Sequence, residues 1–271
     1  MSRFGGALRS EVTKITSTRM WWILAIIMVA YIAVCAGGAA ALFGALGDST
    51  NGPSISGESL APLIYSFGPT LGYVFAVLLG ALATTNEFRH QTLTPTFLAT
   101  PRRGRVLVAK LVALTGAGAL YGVLAMIAAV GAGAGLLLAF GIDPQLGDPD
   151  TWALVGRSVL AMALWSAIGV GLGVLVPSQV AAIVIVLAFT QFVEPILRLA
   201  SSIAEWTAQI GQFLPGAASD ALVGASFFSL AAGAGGGGTM LEWWQGGLVL
   251  LGIAVLVSVL GWFTSWRRDV T

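Results

Sequence analysis

Charge is scarce in this sequence: 9% of its 271 residues are Asp, Glu, Lys or Arg, while 57% are hydrophobic. Soluble domains carry about 25% charged residues, so the composition argues against a water-soluble fold. Cysteine occurs once, at Cys35 inside an apolar run. That excludes an internal disulfide and leaves a small apolar filler. The single histidine, His90, sits in a polar stretch, which leaves no HExxH zinc pair and no Ser–His couple inside an apolar span. Lysine occurs twice: Lys14 follows Thr13 and Lys110 follows Ala109. No Gly-x-x-x-x-Gly-Lys-[Ser/Thr] phosphate loop is therefore present. Central carboxylates and a convincing internal repeat are also missing from the apolar runs, which counts against an ion-coupled secondary transporter.

What the chain does have is long apolar stretches. A bilayer core of about 30 Å takes roughly 20 apolar residues of helix. Six stretches qualify, near Trp21–Gly44, Ile64–Ala83, Val106–Phe140, Trp152–Val176, Val180–Leu199 and Gly246–Phe263. The expected fold is an all-α polytopic membrane protein in a cell inner (plasma) membrane, with residues 1–271 forming one membrane domain. The third stretch is too long for one crossing, so it either projects beyond the lipid or is interrupted at its glycines. Pro177-Ser178-Gln179 predicts a tight helical hairpin between the fourth and fifth. The first run is longer than a signal-peptide core, and the reading is a retained helix.

The few charges are unevenly placed. With the N-terminus in the cytoplasm, the arm 1–19, the segment 84–106 with Lys110, and Arg267 and Arg268 hold every Lys and Arg except Arg157 and Arg198. Such a bias sets membrane orientation, and both termini are expected inside. Trp21, Trp22, Trp152, Trp243, Trp244, Trp262 and Trp266 lie near span ends, at headgroup level. In the arm, Phe4, Leu8, Val12 and Ile15 share one helical face, with Arg9, Glu11, Lys14 and Arg19 elsewhere, which predicts an amphipathic helix in the inner headgroup layer.

The segment Asn86–Lys110, NEFRHQTLTPTFLATPRRGRVLVAK, has more structure than a topology signal needs. Glu87 and Arg89 come early, apolar Leu93, Phe97 and Leu98 lie in the middle, and Pro101-Arg102-Arg103-Gly104-Arg105 closes it. A short helix around Pro95–Ala99 is expected, with Pro95 tolerated in its first turn. An apolar core flanked by charges suits docking into another protein.

Three patches carry a resemblance. Glu87-x-Arg89-x-x-Thr92, Leu98-x-x-Pro101-x-Arg103 and Leu107-x-Ala109-Lys110 form the first; Leu8-Arg9-Ser10-Glu11-x-x-Lys14 the second; Phe213-Leu214-Pro215-Gly216-Ala217 the third. Together with six spans they resemble ABC-2 type transporter permeases, actinobacterial members in particular. The sequence departs from that pattern at Gln91, where many members have glycine, and at the added Pro95. The resemblance implies an export permease that pairs with a second permease subunit, as homodimer or heterodimer, and with two copies of a P-loop ATPase. It also implies a coupling helix between spans two and three, with Glu87, Arg89, Thr92, Leu98, Pro101 and Arg103 forming or bracing the ATPase contact; on physical grounds Phe97 joins Leu98 as its apolar anchor. ATP and magnesium would belong to that partner; the chain itself is not expected to be an enzyme, to hold a metal or cofactor, or to bind nucleic acid. A drug, lipid or peptide of amphiphilic character suits the apolar spans. The alternative is an ATP-independent membrane protein, such as a secondary transporter or an immunity or assembly factor.

Some readings remain local. Arg157 either snorkels to the outer surface or meets an anionic substrate. Glu194 and Arg198, four apart, pair on one face near the outer end of span five, as a structural pair or a gate, and Pro195 starts a break there. Lys110 is expected to snorkel to inner headgroups. Gly118/Gly122, Gly131/Gly135 and Gly169/Gly173 have helix-packing spacing. The external segment 200–244 has room for short helices over Ile203–Leu214 and Leu222–Leu230, with Gly233–Gly238 as a linker.

Overall fold

The computed structural model describes residues 3–46, 57–99, 102–201, 205–225 and 241–266. Among these the secondary structure is helical throughout. In chain order the helices are α1 Arg3–Ser17, α2 Met20–Leu46, α3 Gly57–Tyr65, α4 Phe67–Arg89, α5 Leu93–Ala99, α6 Arg103–Ala139, α7 Pro149–Leu175, α8 Gln179–Ala188, α9 Glu194–Ser201, α10 Glu205–Gly211, α11 Pro215–Val223 and α12 Trp243–Gly261. Single π-helical turns, Phe189–Val193 and Trp262–Trp266, join α8 to α9 and extend α12. Six stretches are long and apolar enough to cross a membrane, as composition requires, and the chain is a multi-pass membrane protein.

The third span is one unbroken helix of 37 residues, about 55 Å long at 1.5 Å per residue. Its glycines do not interrupt it. The second span is less regular. Pro69 has no N–H to return to Tyr65, and the helix breaks at Ser66, whose hydroxyl donates to Leu63 O at 2.6 Å.

Helix α7 is the hub, packed against α4, α6 and α12. Small residues allow the approach. A Cβ on Gly122 would lie 2.7 Å from Val159 Cα, and one on Gly173 would lie 2.7 Å from Ala81 O. Two of the three glycine pairs thus sit at helix crossings; Gly131 and Gly135 face open space instead. Backbone approach of this kind replaces the hydrophobic drive that is absent between helices in lipid. The turn after α7 is as short as its sequence suggests, with Ser178 Oγ accepting from Ala181 N at 3.4 Å. The hairpin expectation is corrected in packing: α8 lies chiefly along α4 rather than back along α7.

In the segment 200–244, α10 lies near the expected place and α11 starts at Pro215, while most of the expected helix Leu222–Leu230 lies outside the described residues. Proline suits a first helical position because its missing N–H has no intrahelical partner there. The helix stops at Gly224, left-handed with φ 86°. The glycine linker 233–238, Pro101, Arg267 and Arg268 lie outside the described residues.

Candidate functional site

The first polar site forms where α1 meets the spans. Glu11, on α1, is 3% exposed, Glu87, on α4, is 6%, and Lys110, on α6, is 2%. Lys110 Nζ donates to Glu11 Oε2 at 2.5 Å and to Glu87 Oε1 at 2.9 Å. Lys14 Nζ, half-buried on α1, donates to Glu11 Oε1 at 2.7 Å, to Glu87 Oε1 at 2.8 Å and to Thr96 Oγ1 of α5 at 3.4 Å. Two carboxylates and two ammonium groups therefore neutralise one another, the condition under which charges persist away from water. Burial works against the Lys14 charge, but the carboxylates of Glu87 and Glu11 outweigh it and hold its pKa above the ordinary 10.5.

This arrangement corrects two expectations. Lys110 does not snorkel to headgroups; it points into the bundle. The α1 helix forms, but Glu11 is its most buried side chain, while Phe4 is 38% and Val12 44% exposed. Leu8 and Ile15 are half-buried, so α1 docks by the strip running through Ala7, Glu11 and Lys14, with the apolar stripe beside it.

The residues expected to form one contact divide between inside and outside. Glu87 belongs to the buried network. Arg89 is exposed and its Nη1 donates to Gln179 Oε1 at 2.8 Å. Thr92 N donates to Glu87 O at 3.1 Å, and Thr92 O accepts from Thr96 Oγ1 at 2.8 Å. The short helix begins at Leu93, two residues before Pro95, and Pro95 sits in its first turn. Leu93 is buried, whereas Leu98 is 79% exposed. Phe97 falls within α5, but its side chain is outside the described residues. Arg103 opens α6, and its carbonyl accepts from Trp266 Nε1 at 3.2 Å. Gln91, which links α4 to α5, has φ 54°, in the left-handed region that favours glycine.

A second polar site lies where α9 meets α11. Glu194 Oε1 accepts from Arg198 Nε and Nη2, both at 3.3 Å, and from Gly216 N. Arg198 Nη1 donates to Asp220 Oδ2 at 2.7 Å. The Glu194 carboxylate thereby satisfies one of the free N–H groups opening α11 and faces the positive end of that helix. Gly216 is where glycine is needed, because a Cβ there would collide with Glu194 and Arg198. The helix does not break at Pro195. The π turn ahead of it absorbs the missing N–H, and Tyr73 Oη donates to Thr190 O at 3.4 Å. Arg157 stands apart from this group, its guanidinium 5.1 Å above the Trp243 ring, a cation–π contact.

Sequence reading paired Glu194 with Arg198 but missed Asp220, Gly216 and the partners of Glu11, Lys14 and Lys110. The only available signal was that a chain with two lysines places each near a glutamate-bearing segment at one end of the spans. No known family model matches the chain, and no curated protein matches it in sequence.

Proposed function

We propose that the chain is the membrane-spanning permease subunit of an ATP-driven ABC-2 type exporter. It works with a second permease subunit and with two copies of a separate P-loop ATPase, which holds ATP and magnesium. The end of the bundle bearing α1 and α5 faces the cytoplasm of a plasma membrane, as the Lys and Arg bias favours. The cargo is amphiphilic and moves outward.

The observation that carries this reading is the setting of α5. It presents Leu98 outward at 79% exposure, and Lys14 reaches its Thr96 from the same ammonium that bonds Glu11 and Glu87. Displacing α5 would strain a network shared by α1, α4 and α6. A buried ion network has few alternative arrangements, because separating any partner leaves an unpaired charge. Force from a docked motor would thus reach three helices together. The left-handed Gln91 adds support, since it stands where the resembling permeases place glycine.

Copurification in mild detergent from native membranes tests the reading. A P-loop ATPase identified by mass spectrometry is expected with the wild type. Leu98→Asp should lower its recovery by about tenfold, equivalent to about 1.4 kcal/mol of binding. The surface change should leave thermal stability within about 0.5 kcal/mol. If correctly inserted wild type brings down no ATPase, the exporter reading fails and an ATP-independent membrane role takes its place.

A further inference from the structure

Two cations serve the end of the bundle away from α1: Arg198, held between Glu194 and Asp220, and Arg157 on α7. Among the described residues no carboxylate pairs with Arg157 and none of its N–H groups makes a hydrogen bond. The positions three and four away on α7 are Ala153, Leu154, Leu160 and Ala161, and no Asp or Glu occurs between Asp220 and Glu242. Asp150, two turns earlier, does not reach it. Glu242 is already used at the start of α12, where its carboxylate accepts from Gln245 N and Trp244 Nε1. What Arg157 does touch is specific. Its guanidinium stands 5.1 Å from the centre of the Trp243 ring, and its Nη1 would lie 3.3 Å from a Cβ on Gly224, the left-handed end of α11. The side chain thus fills the angle where α7, the end of α11 and the start of α12 meet. A cation–π contact satisfies charge but leaves the N–H groups unmade. Arg157 is half-buried and none of its nitrogens is sealed from solvent, so a ligand can reach them.

We propose that Arg157 and Trp243 form a site for the phosphate of a phospholipid that carries net negative charge. The phosphate oxygens accept from the forked N–H groups of the guanidinium, the geometry in which arginine binds phosphate best, while Trp243 holds the cation in place. Trp243 and Trp244, both exposed in the first turn of α12, put this point at headgroup level. Leu160 and Leu248 lie deeper on the same two helices and are exposed, which gives the acyl chains an apolar surface. A free phosphate from water offers the same oxygens but nothing for these leucines to cover. An acidic lipid suits the site better than a zwitterionic one, because a choline group would bring a second cation beside Arg157. The site requires only that the chain spans a membrane, not that it works with an ATPase, and it is tested on the chain alone.

The test is native mass spectrometry of the purified, delipidated full chain titrated with dioleoylphosphatidylglycerol, with dioleoylphosphatidylcholine as the control of equal acyl chains. One saturable phosphatidylglycerol adduct is expected, bound about tenfold more tightly than phosphatidylcholine, as one charge-assisted contact allows. Arg157→Gln should bring the two lipids to equal, weak binding, and Arg157→Lys should keep part of the preference because it keeps the charge without the fork. Arg19→Gln, which removes an exposed cation at the other end, should leave the adduct unchanged. Displacement of the adduct by inorganic phosphate would mark an anion taken from water, and its failure a lipid taken from the bilayer; both keep the site. Equal binding of the two lipids by the wild type would overturn the proposal, and that comparison needs no variant. So would a folded Arg157→Gln chain that keeps the preference, or an Arg19→Gln chain that loses as much of it.

Discussion

At one end of the bundle Lys110 lies between Glu11 and Glu87; at the other, Arg198 lies between Glu194 and Asp220. Both place a cation between two carboxylates, yet they are completed differently. The first recruits a second cation, Lys14, and joins residues up to 99 apart in sequence. The second uses the amide of Gly216, with its residues at most 22 apart. Helix-terminal amides carry partial positive charge, so a backbone group stands where the other site uses a side chain. The difference teaches what each site holds. The Lys110 site fastens three separate helices to one another, whereas the Arg198 site seats one short helix on the end of a neighbour.

The largest effect should come from breaking the more deeply buried network. Lys110→Met keeps the stem but removes the central cation, leaving Glu11 and Glu87 with only half-buried Lys14. A loss of about 3–5 kcal/mol is expected, read as thermal unfolding followed by circular dichroism in detergent. Recovery of part of that loss on adding Glu11→Gln would show that the uncompensated carboxylate is the cause. At the other end, Gly216→Ala should displace the Glu194 carboxylate and cost about 1–3 kcal/mol, as small overpacking does. Combined with Lys110→Met, its effect should add to within about 0.5 kcal/mol. Clear non-additivity would mean that the two ends are coupled, and the comparison above would fall.

A subtler distinction lies in pH. Lys14 is held above its ordinary 10.5 in the folded chain. Its contribution is therefore full below that value and is lost as pH rises through the raised one. The stability difference between wild type and Lys14→Met should stay constant below pH 10.5 and shrink only in more alkaline solution. A difference that shrinks near neutral pH would show that Lys14 is not what the carboxylates hold. The smallest effect concerns the linker to α5: Gln91→Gly should stabilise by about 1 kcal/mol, because a side chain at positive φ is strained. Destabilisation would show that the Gln91 side chain contributes more than its backbone costs.

Much of the architecture was legible because it is local. A run such as Met20–Leu46 declares itself by length and apolarity alone, and Phe4, Leu8, Val12 and Ile15 declare a helix by spacing. The short helix expected around Pro95–Ala99 was legible through its prolines, and it begins two residues earlier, at Leu93. The candidate site was legible only in part. Glu11, Glu87 and Lys110 all fell within the quoted motifs, but Glu11 read as part of a polar face and Lys110 as reaching for headgroups. Burial reversed both readings.

By itself, then, the sequence determined that the chain spans a membrane and where its six long apolar helices lie, since backbone hydrogen bonding in lipid leaves a long apolar segment no other regular form in a chain without barrel-like alternation. It also determined that its few charges cluster toward the span ends. The tertiary structure decided which charges are buried and which face out. That depends on the rotation of α4 and α6 about their axes, where Gly118, Gly122, Gly169 and Gly173 let their backbones close on α7, and on the docking of α1 against α6. No pattern within one segment encodes the phase of another, and so the pairing of Glu11 with Lys110 exists only once the helices have packed.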